Sequence, residues 1–89
     1  MKEKSLSKES NKELVVQQCD LIIYNDDVHT FDFVIQTLID VCNHDAIQAE
    51  QCTHIIHYNG KCGVKRGTFS ELKPKCEALL EKGLSATIE

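Results

Sequence analysis

Residues 21–38 read LIIYNDDVHTFDFVIQTL, and this stretch decides the fold because its hydrophobic period changes in the middle. The apolar run from Cys19 to Tyr24 is typical of a buried strand. The tripeptide NDD at 25–27 ends the run, since Asn and Asp side chains bond nearby backbone groups and favour turns. From Thr30 onward apolar residues recur at helical spacing, which predicts an amphipathic helix after the turn.

A second helix and a second strand are predicted farther along the chain. Asp45 and Gln48 have the spacing of a capping box, which favours the start of a helix. Asn59-Gly60 is a typical turn or bulge signal. We therefore predict that the second helix ends before this signal and that Ile56 to Val64 form a strand with an irregular middle.

The C-terminal third of the chain supplies a third helix and a third strand. Thr68 and Glu71 form another capping-box pair, and Gly83 ends the apolar pattern that follows. Pro74 should kink this helix or delay its start, because proline removes one helical hydrogen bond. With a short strand at 85–88 the element order is β-α-α-β-α-β, an α+β fold with three helices packed on a small three-stranded sheet.

The length of the chain, 89 residues and 10.1 kDa, suits one small domain. Ten of the first thirteen residues are Lys, Glu or Ser, a composition too polar to offset the entropy of ordering. We therefore predict a flexible N-terminal tail over residues 1–14 and a single domain over residues 15–89.

Charge is distributed unevenly along the chain. Residues 13–60 contain eight acidic side chains and no Lys or Arg, whereas residues 61–89 contain six basic and four acidic side chains. A segment without basic side chains cannot neutralise phosphates, so nucleic acid is not an expected partner. The same segment suits a positively charged ligand.

Hydropathy and cysteine usage indicate the cellular location of the protein. The longest apolar run, 21–24, is far below the roughly 20 residues that cross a bilayer, so no membrane partner is expected. The basic N-terminus lacks the apolar stretch of a secretory signal, which favours a cytoplasmic location. The five cysteines include no C-x-x-C pair, and we interpret them as reduced core residues.

Two groups of residues could carry chemistry. The NDD turn at 25–27 offers amide and carboxylate oxygens on a loop between rigid elements, where binding groups concentrate. His54 and His57 share one helix face, but a zinc site with Cys52 would lack a fourth ligand. A Cys–His nucleophile would lack an oxyanion hole. The residues alone leave open a binding module, a metal-binding or thiol-redox module, and a polar turn without further function.

Together these motifs resemble the ClpS family, adaptors that deliver proteins with destabilising N-terminal residues to a Clp ATPase–protease. The stretch at 21–38 is followed, about one helix later, by IIHYNGKCGV at 55–64. The family pattern combines NDD after an apolar strand with HYxGK at a helix–strand junction, and this combination is specific. The resemblance covers about residues 19–89, and it implies a ClpS-like fold and a non-enzymatic adaptor without a cofactor.

The resemblance also implies a site for a free N-terminus. The amino-group clamp of the family falls on Asn25, Asp26 and His57. An ammonium group presents three donors and a positive charge, which suit an amide oxygen, a carboxylate and an unprotonated ring nitrogen. The lining of an adjacent pocket for a bulky hydrophobic first side chain would consist of Phe31, Val34, Leu38, Thr53 and Ile56.

The partners implied by the resemblance are N-degron peptides or proteins and the N-terminal domain of a Clp-family AAA+ ATPase. Glu71 and Lys73 correspond to the segment with which the family docks on that domain. The sequence VHT at 28–30 departs from the aromatic-Thr-Pro that is common in the family, and Phe31 replaces a methionine. We therefore expect different preferences for the first side chain. A chain with a degenerate clamp would be a plain interaction domain of the same fold.

Overall fold

The computed structural model describes residues 17–89 and has the predicted order β-α-α-β-α-β. The elements are β1 (Gln18–Tyr24), α1 (Phe31–Cys42), α2 (Ala46–Asn59), β2 (Lys61–Thr68), α3 (Phe69–Glu81) and β3 (Ser85–Ile88). The strands form one antiparallel sheet in the order β2-β1-β3. The predicted tail at 1–14 and the predicted start of the domain at 15 lie outside the described residues.

Each of the first two helices starts at a side chain that caps its first turn. The hydroxyl of Thr30 accepts a hydrogen bond from the N–H of Phe33 at 3.1 Å and caps α1. The carboxylate of Asp45 accepts from the N–H of Gln48 at 2.7 Å and caps α2. Each cap satisfies an N–H group that the helix itself leaves unpaired.

The third helix has a complete capping box. Thr68 accepts from the N–H of Glu71 at 3.2 Å, and the carboxylate of Glu71 accepts from the N–H of Thr68 at 2.9 Å. The helix therefore begins at Phe69 and continues through Pro74 to Glu81 without the delayed start that proline could cause. The reciprocal cap fixes the first turn before the position where the proline removes a bond.

The predicted strand at 56–64 is wrong in its first five residues, 56–60. Ile56 to Asn59 are the last turn of α2, and β2 begins only at Lys61 and extends to Thr68. Gly60 has the left-handed conformation, with φ of 93°, and its N–H donates to the carbonyl of Ile56 at 3.0 Å. Asn59-Gly60 therefore ends a helix and does not form a hairpin. A left-handed glycine suits either structure, so the sequence signal did not distinguish them.

A β-bulge interrupts the pairing of β1 with β2. Leu21 pairs with Lys65 and Ile22 pairs with Gly63, so Val64 has no partner of its own in the register. The buried ring of His44 compensates, with its Nε2 atom 2.6 Å from the carbonyl oxygen of Val64. The irregular middle was predicted at Asn59-Gly60, which ends α2, so this bulge at Val64 is a different feature that the sequence did not predict.

The core lies between the sheet and the helices. Leu21 and Ile23 alternate along β1 and are completely or almost completely buried, as expected for a strand with one face in the core. The helices add the buried residues Leu38, Cys42, Ala49, Ile56, Leu72, Cys76 and Leu79. In the part of the chain from 17 to 89, no helix combines the length and the hydropathy needed to cross a membrane.

Candidate functional site

A groove of about 310 Å³ lies where the loop after β1 meets α1 and α2. The loop is attached to the end of α2 by a hydrogen bond from the N–H of Asn25 to the carbonyl of Gly60, at 2.8 Å. The left-handed glycine that ends α2 thus also determines how close the NDD turn lies to the helix. The volume falls in the range of small-molecule and side-chain pockets, about 300–1,000 Å³.

Most residues predicted for peptide binding converge on this groove. Its lining includes Asn25, Asp26, Phe31, Val34, Thr53, Ile56 and His57. Leu38 is the exception, because it is fully buried and does not reach the lining. It lies one turn beyond Val34 on α1, where the helix packs on the core, and is a core residue in this structure.

The polar wall of the groove is acidic. Asp26 and Asp27 both contribute to it, and the lining residues, all of them among the described ones, include no Lys or Arg. This follows from the long segment of the sequence without basic side chains. A positively charged group entering the groove would meet carboxylates and no competing cation of the protein.

Asp26 is held by the backbone of its own loop. Its Oδ1 atom accepts hydrogen bonds from the N–H of Val28 at 2.8 Å and from the N–H of His29 at 3.0 Å. Burial raises the pKa of this carboxyl, but the hydrogen bonds from His29 and Val28 outweigh it and lower the pKa below its ordinary value. Asp26 is therefore ionised near neutral pH and can only accept hydrogen bonds.

His57 reaches the groove from the last turn of α2. Its ring stands edge-on to Phe31, with 6.1 Å between ring centroids, and edge-on to Tyr58 at 4.9 Å. The side chain is exposed, so a ligand can approach its ring nitrogens. An unprotonated ring nitrogen can accept a hydrogen bond from an ammonium group, and a protonated one cannot.

The apolar wall is formed by residues that also belong to the edge of the core. Val34 and Ile56 are 9% and 4% exposed, and Phe31 is half-buried. The hydroxyl of Thr53 donates to the carbonyl of Ala49 at 2.7 Å within α2, so its polar group is already satisfied. A side chain in the groove would therefore meet a surface that is apolar in character on this side.

Two lining residues were not assigned to the site by the sequence: His29 and Thr30. Asp27 belongs to the NDD turn identified as a candidate binding group, although not to the predicted amino-group clamp. Thr30 flanks the predicted residue Phe31 and could have been included on proximity alone. His29 could have been found from its position three residues after Asp26, since Asp side chains often bond backbone groups two or three residues on.

The residues predicted for partner docking lie elsewhere, on α3. Glu71 lines a second groove between α1 and α3, and its carboxylate also closes the capping box with Thr68. Lys73 is exposed, and its Nζ atom lies 4.0 Å from the carboxylate of Glu77, one helical turn away. The groove beside the NDD turn and the residues predicted for docking are therefore separate on this domain.

The residues considered for a metal site have other neighbours. Burial, and to a lesser degree neighbouring Cys62, raise the pKa of the Cys52 thiol to about 11, and the thiol of Cys62 donates to the carbonyl of Gly63 at 3.4 Å. His54 packs edge-on against Phe31, with 4.7 Å between ring centroids. Within residues 17–89, no group of three or more His, Cys, Asp or Glu side chains is arranged to hold a metal ion.

Comparison with protein families gives one match. The family model described as ATP-dependent Clp protease adaptor protein ClpS matches residues 16–87. A ClpS adapter protein of the ATP-dependent Clp protease from Campylobacter jejuni is 41% identical over 46 residues, which are 49% of this chain and 48% of that protein. The matched region thus spans about half the length of this relative.

Two further similarities differ in scope. The E3 ubiquitin-protein ligase UBR1 of Drosophila melanogaster is 42% identical over 50 residues, which are 56% of this chain and only 3% of the ligase. The structure of Agrobacterium tumefaciens ClpS2 bound to L-phenylalaninamide has a TM-score of 0.78, with 19% identity, and covers 82% of this chain and 95% of that one. At this identity the structural match supports the fold, and the order of helices and strands agrees with it.

Proposed function

This chain belongs to the ClpS family, and on that premise we propose that it binds the free N-terminus of proteins whose first residue is bulky and hydrophobic. It delivers these proteins to a Clp-type AAA+ ATPase–protease and catalyses no reaction itself. The observation that carries the proposal is the groove, in which Asn25, Asp26 and His57 lie next to the apolar wall.

The polar residues of the groove match the chemistry of an N-terminal ammonium group. The side chains of Asn25 and Asp26 supply oxygen acceptors, and His57 supplies a ring nitrogen from the opposite element. Charge-assisted hydrogen bonds of this type contribute about 1.5–3 kcal/mol each. The ammonium group of a lysine side chain carries the same charge as that of an N-terminus. The apolar wall beside the polar residues is therefore needed to favour an N-terminal residue over a lysine side chain.

The apolar side of the groove suits the first side chain of the ligand. Burying a Leu or Phe side chain contributes about 1.5–3 kcal/mol. Agrobacterium ClpS2, which shares the fold, was solved bound to L-phenylalaninamide, a compound with a free amino group and a phenyl side chain. This ligand supports a hydrophobic first residue as the preference of this chain.

Peptides with free and blocked N-termini test the proposal directly. We expect a fluorescent peptide that begins with Phe to bind in an anisotropy titration. Its N-acetylated form should bind at least about tenfold more weakly, because acetylation removes the charge and donors of the amine. A peptide that begins with Ala is the control for the contribution of the first side chain at the apolar wall. Equal affinities for the free and acetylated peptides would refute the proposal.

Two histidines on α2 provide a matched pair of variants. His57 lines the groove, whereas His54, one turn earlier, is not among the lining residues described. We expect His57→Ala to weaken binding of the free peptide by about tenfold and His54→Ala to change it much less. Melting temperatures close to wild type would show that the loss concerns binding. A large drop in melting temperature for His57→Ala alone would instead indicate a structural role.

Delivery to the ATPase is a separate part of the proposal and is tested separately. We propose that Glu71 and Lys73 contact the N-terminal domain of the ATPase. Because Glu71 also caps α3, Lys73→Glu is the cleaner variant, with Lys82→Glu at the C-cap of that helix as its control. The Lys73 variant should retain peptide binding and lose co-purification with the ATPase domain. Unchanged co-purification would exclude Lys73 from the docking surface.

The alternatives left open by the sequence have their own tests. A metal-binding module would retain stoichiometric metal under reducing conditions, as measured by elemental analysis. A plain interaction domain of the same fold would bind neither free nor acetylated peptide. The similarity to part of a ubiquitin ligase shows that related sequences also occur in a much larger protein, which is a further reason to test peptide binding and delivery independently.

A further inference from the structure

The side chain of His29 is bonded to the carboxylate of Asp26 in the wall of the groove. The Nδ1 atom of the ring lies 3.0 Å from Oδ2 of the carboxylate and 3.2 Å from Oδ1. Both side chains are mostly buried, with exposed fractions of 19% for His29 and 22% for Asp26. Solvent therefore competes little with this bond.

The two oxygens of Asp26 are held in different ways. The backbone N–H groups of Val28 and His29 donate only to Oδ1. Oδ2 receives the ring of His29, and a carboxylate offers about four acceptor positions in all. The backbone bonds position Oδ1, and the ring adds a second restraint at Oδ2 against rotation about the Cβ–Cγ bond. This restraint helps to determine where the remaining acceptor position of Oδ2 points.

The ring of His29 is itself fixed from two other elements. It stacks on Phe33 of α1, with 4.9 Å between ring centroids and an interplanar angle of 23°. Its other edge faces Gly83 in the connection from α3 to β3, where a Cβ atom would lie only 3.1 Å from Nε2. Gly83 also has a φ of 89°, which favours glycine, so this close approach is built into the fold.

The proton of the ring can be assigned from its partner. Asp26 is ionised, because the bonds it accepts lower its pKa below the ordinary value despite the opposing effect of burial. An ionised carboxylate only accepts hydrogen bonds, so the Nδ1 atom of His29 carries the hydrogen that lies between them. The bond is charge-assisted, which makes it stronger than a bond between neutral groups.

We propose that His29 is a positioning residue for amine binding: its ring orients the carboxylate of Asp26 so that the free acceptor position of Oδ2 faces the ammonium group of the ligand. The inference rests on the proposed function and adds a residue to it. His29 does not contact the amine in this arrangement; it acts through Asp26. The donor at Nδ1 is the essential feature, and the stacking on Phe33 only holds it in place.

Two substitutions separate the donor from the packing. In His29→Asn, the amide nitrogen is attached to Cγ as Nδ1 is and can donate to Asp26, although the ring is lost. In His29→Phe, the aromatic ring remains for Phe33 and the donor is lost. The measurement is the ratio of the affinities for a free and an N-acetylated Phe-initiated peptide. We expect this ratio to stay within about twofold of wild type for Asn and to fall about tenfold for Phe.

The outcomes distinguish this inference from the proposed function. If the wild-type protein does not prefer the free peptide, the proposed function fails and this inference fails with it. If wild type discriminates and His29→Phe discriminates equally well, only the inference is overturned. Loss of discrimination in His29→Asn as large as in His29→Phe also overturns it, because packing would then be the cause.

A second measurement covers the case in which His29→Phe does not fold. His29→Gln places its amide one bond farther out, away from the position of Nδ1, and should lose discrimination as the Phe variant does. NMR of the histidine ring nitrogens in the wild-type protein at neutral pH should show the hydrogen of His29 on Nδ1. A hydrogen on Nε2 in the neutral ring would contradict the proposal.

Discussion

At the scale of single residues, the carboxylate of Asp26 combines two tasks. One oxygen closes the loop by accepting two backbone N–H groups, and the other is bonded to the ring of His29 in the wall of the groove. The residue that organises the loop is therefore the residue proposed to bind the amine. A substitution of Asp26 should affect both stability and binding, whereas one of exposed His57 should affect mainly binding.

The lowered pKa of Asp26 predicts a pH-dependent contribution to stability. The folded-state pKa lies below the ordinary value of 3.8, so the ionised carboxylate favours the folded state above that pH. This contribution is lost as the pH falls through the lowered pKa. We expect Asp26→Asn to have a lower melting temperature than wild type at pH 7, and the difference to shrink progressively below pH 3.8.

The neighbouring acid gives the control for this prediction. Asp27 lies in the same loop and is exposed, so Asp27→Asn should shift the melting temperature less than Asp26→Asn at pH 7. A difference between wild type and Asp26→Asn that stays constant from neutral to acid pH would contradict the assigned role, because it would not depend on ionisation.

At the scale of secondary-structure elements, the junction of α2 and β2 determines the geometry of the groove. Gly60 ends the helix, directly precedes the strand, and its carbonyl accepts a hydrogen bond from the N–H of Asn25. His57 is placed by the helix and Asn25 by the strand before the loop, so their approach depends on this junction.

A substitution of Gly60 measures the conformational requirement of the junction. A Cβ atom at Gly60 would meet nothing within 4 Å, so any destabilisation by Gly60→Ala comes from its φ of 93°. We expect a loss of about 1 kcal/mol in urea unfolding, the usual difference between Gly and Ala in a left-handed conformation. Gly63→Ala, where the new atom makes an ordinary contact at 3.5 Å with Ile22, should lose less. Equal losses would contradict this assignment.

The bulge in β2 gives a second prediction at this scale. The carbonyl of Val64 depends on the buried ring of His44, whose Nδ1 atom has no hydrogen-bond partner among the described residues. His44→Leu leaves that carbonyl without its donor and should destabilise the protein by about 1–3 kcal/mol. Leucine at the half-exposed His54 is the control and should change the stability by less than about 0.5 kcal/mol. Equal effects would show that the His44 bond contributes little.

At the scale of the whole molecule, the core and the groove share a wall. Val34 and Ile56 belong to the buried cluster and also line the groove. Enlarging the groove by truncating either residue would therefore remove core packing as well. The preferred first side chain is more readily changed through Phe31, which is half-buried at the rim.

The five cysteines report on the integrity of this core. Cys42 is fully buried, and burial raises the pKa of its thiol to about 11. We expect iodoacetamide at pH 8 to modify half-buried Cys62 much faster than Cys42 in the native protein, as read by mass spectrometry. In denaturant the rates should become similar. Rapid modification of Cys42 under native conditions would mean that the domain opens readily or that the core is packed differently.

The groove residues were implied by the resemblance to the ClpS family, whereas the sequence by itself determined the order of the elements and the caps of α2 and α3. These features depend on local patterns: an apolar run ended by NDD, a helical stripe after Thr30, and Thr68 three residues before Glu71. Local hydrogen bonds between residues a few positions apart produce them, and such bonds can be read from spacing.

Only the tertiary structure decided the end of α2, the core position of Leu38 and the roles of His29 and His44. Asn59-Gly60 can end a helix or turn a hairpin, and the choice depends on whether the glycine N–H meets the carbonyl of the preceding helical turn. The bond of His44 to Val64 and the close packing of the His29 ring on Gly83 in the α3–β3 connection join segments that are distant in sequence. Spacing carries no information about such contacts, because they exist only once the helices have packed on the sheet.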